Sequence, residues 1–293
     1  MQQEITIKPS HVNFFGSLAG LWANRGYLWP LVVNSATLLL ASVPVPSPIN
    51  TGPKTWSFGF VPGTVTYKIS RSATIEDLDA GAKREISTNS SHESIGLQAI
   101  GDTISVTAVV DTFSTTTQGA IGPAQLAQLP LQLSGSLVGD SLVITEGLTQ
   151  KCDPVATALI TDLHNLLANF PDTLSIQMSW RDSTSLLGCQ GSIGTQSHVT
   201  RSYKVIGESI YEGTSVVMVQ RTDSIQATGE GAQQQHRILL DAHGNGSAIY
   251  YLEINSGRVL HLSTSQDLNL VVTASGKSSH FRESAKQEFA LVR

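Results

Sequence analysis

A mainly β fold is predicted by three features of the sequence. The expected architecture is an antiparallel meander that forms a curved sheet or a partly closed barrel, with one central α-helix. Runs of alternating apolar and polar residues recur from Val61 to the C-terminus, as in TVTYKIS and DTISVTAVV. Turn signals of two to five residues separate many of these runs, and connections this short join only antiparallel neighbours. A single helical pattern interrupts the strands.

The N-terminal part of the chain is predicted to lie outside the β domain. Residues 1–26 form an extension that precedes an apolar block. Residues 27–43, which contain that block, resemble a signal peptide; an uncleaved membrane anchor and a buried segment of the fold are the alternatives. Residues 44–60 are proline-rich, which indicates an extended spacer. We therefore expect export to the periplasm or outside the cell, or membrane association if the apolar segment is retained.

Composition supports export and disfavours a nucleic-acid partner. The 293 residues include 18 Lys plus Arg against 23 Asp plus Glu, and no basic run is interleaved with aromatic residues. Charged residues make up 14% of the chain, well below the roughly 25% typical of soluble domains. Ser, Thr, Gly and Gln fill the polar positions instead, a bias typical of exported β proteins. We expect no nucleic-acid role.

The antiparallel β domain is predicted over residues 61–293. In its first strand Val65, Tyr67 and Ile69 alternate with polar residues, so that one face meets a core and the other meets water. Similar runs follow as LQLSGSLV, SLVITE, VTRSYKVIG, TSVVMVQRT, HRILLDA, SAIYYLEI, RVLHLSTS, LNLVVTAS and EFALV. Turns are predicted at Glu212-Gly213, Gly229-Glu230-Gly231, His243-Gly244-Asn245-Gly246, Asn255-Ser256-Gly257 and Ser275-Gly276-Lys277.

The central helix is predicted over residues 154–169. Asp153 can cap its N-terminus, Pro154 suits the first helical position, and Pro171 stops it. Its apolar residues share one face, which predicts that this face packs on the sheet.

Cys152 and Cys189 are the only cysteines, and in an oxidising compartment we expect them to form a disulfide. The bond would tie the start of the helix to a polar loop predicted over residues 182–197. By the chain-entropy relation, closing the segment of chain from Cys152 to Cys189 would contribute roughly 4 kcal/mol. If export is wrong, two free buried thiols are the alternative.

The sequence Gly139-Asp140-Ser141-Leu142 matches the letters that name a family of serine esterases and lipases. That chemistry needs a base, a carboxylate and oxyanion donors at matching positions, and the motif here lies between two alternating runs. We therefore interpret Ser141 as part of a hairpin. A serine esterase using Ser141 is the disfavoured alternative.

No cofactor or metal is predicted. His236 and His243 stand seven apart on one strand and its turn, which places them on opposite faces. Glu76, Asp77 and Asp79 cluster in one segment that offers too few oxygen donors for a calcium loop, so a solvated loop is expected.

The segment from Phe170 to Val292 resembles a group of uncharacterised exported bacterial β-rich proteins. The pieces that carry the resemblance are MSWRD, LLGCQGSIG, SYKVIG and HGNGSAIYYLEINSGRV. The resemblance implies no activity. At the level of fold alone, the pattern is also similar to the curved half-barrel sheets of periplasmic lipoprotein carriers, which hold acyl chains against a concave face. A lipid-attachment cysteine after the apolar block, found in many of those carriers, is absent here.

These observations predict an exported, non-catalytic β-domain protein. The expected role is binding of a lipid or another apolar or amphipathic ligand at the cell envelope, and a structural or protein-interaction domain of the envelope is the alternative. The binding role requires a concave apolar surface that the helix leaves uncovered.

Overall fold

A computed structural model describes residues 54–58, 61–79, 83–100, 103–118, 129–138, 141–147, 153–190, 193–233 and 236–293. The elements in chain order are β1 (Thr55–Ser57), β2 (Gly63–Asp77), β3 (Lys83–Ile100), β4 (Thr103–Gln118), β5 (Leu131–Val138), β6 (Ser141–Glu146), α1 (Pro154–Leu166), β7 (Thr173–Ser175), β8 (Ser179–Gln190), β9 (Ile193–Tyr211), β10 (Thr214–Gln233), β11 (His236–Glu253), β12 (Val259–Ala274) and β13 (Lys277–Leu291). The predicted N-terminal extension and the segment 27–43 lie outside the described residues.

Eleven strands form one antiparallel sheet in the order β6-β5-β4-β3-β2-β13-β12-β11-β10-β9-β8. Strands β2 to β6 follow one another outward from the centre, and β8 to β13 return from the opposite edge until β13 pairs with β2. The predicted meander is confirmed. The sheet does not close into a barrel, because β6 and β8 remain its two edges in the part of the chain that the structure describes.

Helix α1 lies in the connection between these two edges and contacts β8 on one side and β4 and β5 on the other. The sheet therefore curves around the helix, and we call the face of the sheet toward α1 the concave face. The predicted cap is confirmed, since Asp153 Oδ1 accepts hydrogen bonds from the Val155 and Ala156 amides. The helix ends at Leu166, earlier than predicted. In the described ranges no helix is both long and apolar enough to cross a membrane.

The main core fills the space between α1 and the concave face. Leu159 and Leu163 of the helix are fully buried there against Tyr67, Val205 and Phe289 of the sheet. Edge-to-face and stacked aromatic rings close one end of this core, with Trp180 and Tyr203 stacked at 4.9 Å between centroids.

The end of the predicted spacer is part of the fold. Strand β1 pairs with β7, and its central residue Trp56 is only 4% exposed because it packs into the main core. Lys54 Nζ lies 2.5 Å from Glu208 Oε2. The proline content of residues 44–60 predicts an extended backbone, but the end of that segment forms β1 and buries Trp56 in the main core.

The turn predicted at residues 243–246 is wrong, because this segment lies inside β11. Gly244 pairs with Ile225 on one side and with Leu268 on the other. A Cβ at Gly246 would lie 3.1 Å from Asp223 Oδ2, so this glycine makes room for a neighbouring side chain. Glycine within a strand can mark a close approach rather than a turn.

The turn predicted at residues 229–231 is wrong for a similar reason. Strand β10 continues through it to Gln233, and a Cβ at Gly229 would meet Gly194 O at 2.9 Å. The turns predicted at Glu212-Gly213 and Ser275-Gly276 are confirmed. All four of these residues have positive φ, the geometry that two-residue hairpins favour.

The polar loop predicted over residues 182–197 is also wrong, because β8 and β9 form a hairpin there. Strand β8 is an edge strand, and Leu187 on its outer face is 76% exposed. An edge strand with mostly polar outward positions carries too few apolar residues to be recognised by composition.

Cys189 lies on β8, and Cys152 lies outside the described residues, so their pairing stays a prediction. The geometry around Cys189 is compatible with it. A Cβ at the adjacent Gly188 would lie 3.5 Å from Thr157 Cγ2, which places this part of β8 beside the first turn of α1.

We predict that Gly244→Ala lowers the free energy of unfolding by about 1–3 kcal/mol, because a Cβ there would lie 2.0 Å from Asp267 O and the strands must shift. Gly194→Ala is the matched control, since a Cβ there meets nothing within 4 Å. Urea denaturation measures both variants. Equal stability of the two would contradict the strand assignment of residues 243–246.

We predict that peptide mapping under non-reducing conditions finds Cys152 linked to Cys189. Replacing both by Ser should then lower the free energy of unfolding by roughly 4 kcal/mol, through a less constrained unfolded chain. Quantitative alkylation of both thiols in the native protein would show instead that the bond is absent.

Candidate functional site

A cavity of about 230 Å³ lies between α1 and the concave face. Its walls are residues of α1 from Thr157 to Asn165 together with inward-facing side chains of β2 and of β8 to β13. One end of the cavity is apolar and the other is charged.

The apolar end is formed by Leu240, Ala242 and Leu270. These belong to a second buried apolar cluster whose described members all come from strands, unlike the main core, to which α1 contributes. They occupy alternate positions of β11 and β12, so the period-two pattern of these strands directs them to the concave face. The cavity therefore has an apolar wall on the concave face.

Arg71 of β2 is the centre of a buried ionic cluster. Its guanidinium donates to Glu93 Oε1 at 3.0 Å, to Ser91 Oγ at 2.9 Å and to Asp162 of α1. The three charged side chains are at most 1% exposed. Burial raises the pKa of Asp162 well above its usual range, with Arg71 opposing and Glu93 adding to that rise.

Arg201 of β9 forms a two-point ion pair with Asp182 of β8. The Nε and Nη2 atoms lie 2.7 and 2.8 Å from Asp182 Oδ1 and Oδ2. The Nη1 atom also donates to the His164 carbonyl oxygen of α1 at 3.4 Å. Burial, and then the charge of Arg201, lower the pKa of His164 to about 4, so this imidazole is neutral at physiological pH.

Arg221 of β10 binds α1 through Asn165. Its Nη1 donates to Asn165 Oδ1 at 3.1 Å and to the Tyr250 hydroxyl, while its Nη2 donates to Asp223 Oδ2 at 2.9 Å. The Tyr250 hydroxyl in turn donates to the Asn165 carbonyl oxygen at 3.1 Å. Burial raises the pKa of Tyr250, which keeps this phenol protonated as a donor.

The three arginines therefore fasten the helix to the sheet at the charged end of the cavity. Each of them contacts a different residue of α1, namely Asp162, His164 and Asn165. This arrangement can position a polar group of a ligand beside an apolar wall. Within the described ranges, no group of three or more His, Cys, Asp and Glu side chains is placed to hold a metal ion.

The structure places Ser141 away from this cavity in the sheet order. It is the first residue of β6 and pairs with Val138 of β5 in an antiparallel hairpin, as the sequence predicted. Strand β6 is the edge beyond β5, β4 and β3, whereas the strands that line the cavity are β2 and β8 to β13. Residues Gly139 and Asp140 lie outside the described residues.

Other predicted polar residues are dispersed. Cys189 lines the cavity, whereas His243 lies on the outer face of β11. The acidic segment is only partly a loop, because Glu76 and Asp77 belong to β2. Asp79 follows that strand, where its carboxylate accepts a hydrogen bond from the His280 amide.

The three buried arginines were not predicted from the sequence, although the residue pattern of their strands indicates them. In β2 the inward positions read Tyr67, Ile69, Arg71 and Ala73, so a charge interrupts an apolar face. Arg201 and Arg221 interrupt the inward faces of β9 and β10 in the same way. A charged residue in phase with the apolar positions of a strand predicts a buried partner.

Comparison with known proteins identifies no family, since no family model and no curated protein matches the chain. Similar solved structures include a candidate exported protein with a YmcC-like fold from Bacteroides fragilis, at 10% identity and a TM-score of 0.24, covering 82% of this chain and 100% of that chain. A mutant porin of Rh. blastica matches at 10% identity and a TM-score of 0.26, over 79% of this chain and 100% of the porin.

An outer membrane channel from Pseudomonas putida F1 matches at 6% identity and a TM-score of 0.21, covering 83% of this chain and 100% of the channel. At such low sequence identities and TM-scores, these similarities identify neither an activity nor a ligand.

We predict that Arg71→Met lowers the free energy of unfolding at pH 7 by about 3–5 kcal/mol, because Glu93 and Asp162 remain buried without their cation. The deficit should shrink as the pH falls, since protonation removes the buried negative charges. Arg237→Met is the matched control, because that arginine is paired with Glu230 on the exposed surface. Similar losses for both variants, measured by urea denaturation, would contradict the role of Arg71.

Proposed function

We propose that this protein is an exported, non-catalytic β-domain protein that binds an apolar or amphipathic ligand in the cavity between α1 and the concave face. One observation carries the proposal: an apolar wall made by strand residues faces a cavity whose other end is polar. Ligand sites in proteins combine an apolar lining with a few polar groups that fix orientation.

The size of the cavity supports a small ligand or one segment of a larger one. Its volume of about 230 Å³ lies just below the range of ~300–1,000 Å³ that is typical of small-molecule sites. A single alkyl chain or one small ring system fits such a volume better than a folded peptide does.

The absence of catalysis is part of the proposal and is supported by the state of the polar groups. The three arginines at the cavity are all engaged with carboxylates. His164 is neutral and carries no positive charge at physiological pH. The nucleophile candidate Ser141 lies on another part of the sheet. A hydrolase requires a nucleophile, a base and oxyanion donors that converge on one point.

Location at the cell envelope is proposed from the apolar segment 27–43, either as a cleaved signal peptide or as a retained anchor. Lys54, where the described chain begins, is tied to Glu208 beside the β9–β10 hairpin. A retained anchor would therefore join the domain near that hairpin.

A structural or protein-interaction role is the second candidate, and the open sheet edges favour it. The edge strand β8 spans twelve residues, from Ser179 to Gln190, and in the described fold it pairs only with β9. An unpaired edge can accept a strand from a partner protein. This role needs no ligand in the cavity.

We predict that the full-length protein binds the uncharged fluorophore N-phenyl-1-naphthylamine saturably and that Leu240→Trp weakens this binding by about tenfold or more, which is about 1.4 kcal/mol. The indole would fill the apolar end of the cavity. Leu239→Trp is the matched control, because Leu239 is 40% exposed on the outer face whereas Leu240 is 4% exposed.

A fluorescence titration measures both variants, with thermal denaturation as a check that each is folded. Equal affinities of the two folded variants would show that the fluorophore binds elsewhere. Lack of saturable binding by the unaltered protein would favour the structural role.

A further inference from the structure

The side of α1 that faces the cavity is polar. Thr157, Thr161 and His164 all line the cavity, and their spacing of four and three residues places them on one side of the helix. Leu159 and Leu163 lie on the other side, where they are fully buried in the main core. The cavity therefore has a polar wall on α1 in addition to the apolar wall on β11 and β12.

His164 is the ionisable side chain of this cavity that has no partner in the described part of the chain. The arginines that line the cavity are all in ion pairs, and Asp223 is the partner of one of them. Glu283 accepts a hydrogen bond from Gln266 Nε2 at 3.5 Å, and Cys189 is also engaged in an interaction. The His164 imidazole is half-buried and forms neither a hydrogen bond nor an ion pair with the described residues. Its two ring nitrogens are therefore available to a ligand.

This side of α1 offers hydrogen-bond donors and acceptors without a charge. Burial, and then the charge of Arg201, lower the pKa of His164 to about 4, so at neutral pH the ring carries one N–H donor and one bare nitrogen acceptor. Thr161 Oγ1 donates to the Thr157 carbonyl oxygen at 2.9 Å, so its lone pairs can still accept a hydrogen bond. A ligand group beside His164 thus meets both kinds of hydrogen-bonding partner.

A hydroxyl group matches this arrangement. It donates and accepts through one oxygen atom, so it can bond to either ring nitrogen of His164, whichever of them carries the hydrogen. An ether or a halide lacks the donor. A charged group would need a countercharge, which the neutral imidazole does not supply, and burying a charge without one is unfavourable. The chemistry at His164 therefore favours a neutral hydroxyl group.

We propose that His164 hydrogen-bonds the hydroxyl group of an aliphatic alcohol that occupies the cavity. The alkyl chain lies along Leu240, Ala242 and Leu270 of the apolar wall, and the hydroxyl group lies on the α1 side, beside His164 and Thr161. This inference rests on the proposed binding function and specifies both the ligand class and the residue that recognises it.

Two ligands with the same alkyl chain test the inference. 1-Octanol can donate a hydrogen bond and 1-chlorooctane cannot, and each is titrated against N-phenyl-1-naphthylamine bound to the full-length protein. His164→Phe keeps an aromatic ring but removes both ring nitrogens. We expect this variant to raise the concentration of 1-octanol that displaces half of the fluorophore by about tenfold, and that of 1-chlorooctane by less than about twofold. An unchanged ratio of the two concentrations in the folded variant overturns the inference.

Further variants separate the hydrogen bond from the shape of the side chain. His164→Gln retains a donor and an acceptor, so its affinity for 1-octanol should stay within about threefold of that of the unaltered protein. Equal losses in His164→Gln and His164→Phe overturn the assigned hydrogen bond. His243→Phe is the control, because His243 is exposed on the outer face of β11. If thermal denaturation shows that His164→Phe does not fold, His164→Leu takes its place with the same expected result.

The outcomes separate this inference from the function on which it rests. If the fluorophore does not bind saturably to the unaltered protein, the binding function itself fails. If the fluorophore binds but 1-octanol does not displace it, or displaces it equally well from His164→Phe, the binding function stands and the ligand class proposed here is wrong.

Discussion

Arg71, Arg201 and Arg221 reach from three strands of one sheet face to a single helix, and these contacts hold α1 against the concave face. The sheet has two free edges in the described chain, so the helix in the connection between the edges must be held by side chains. Apolar packing buries Leu159 and Leu163 in the main core, but it has little directional preference. The ionic contacts to Asp162, His164 and Asn165 fix the position of α1.

The same contacts create the cavity. Because the arginines and their carboxylates are large and polar, they interrupt the apolar lining of the concave face and separate the main core from the second apolar cluster. A fully apolar face would allow the helix to pack continuously along the strands. Buried charges must keep their partners, so the cavity lies beside them.

Glycines permit this arrangement on the sheet side. Gly246 leaves room for Asp223, and Gly244 allows β12 to approach β11 closely. These residues resemble a turn in the sequence because glycine serves both purposes. Both glycines lie in the middle of an 18-residue strand. Where neighbouring strands approach closely, a glycine therefore does not mark the end of a strand.

The sequence by itself determined the antiparallel meander, the capped helix α1 and the inward or outward direction of most side chains, because alternation and capping are local properties of the chain. In the sequence, the three arginines already occur in phase with the apolar positions of their strands, which places these charges on the apolar face. Only the tertiary structure decided that β13 pairs with β2, that Trp56 joins the core and that three distant strands direct their arginines to one helix. These features depend on contacts between residues far apart in sequence, and no local pattern encodes which strands become neighbours or which charge meets which.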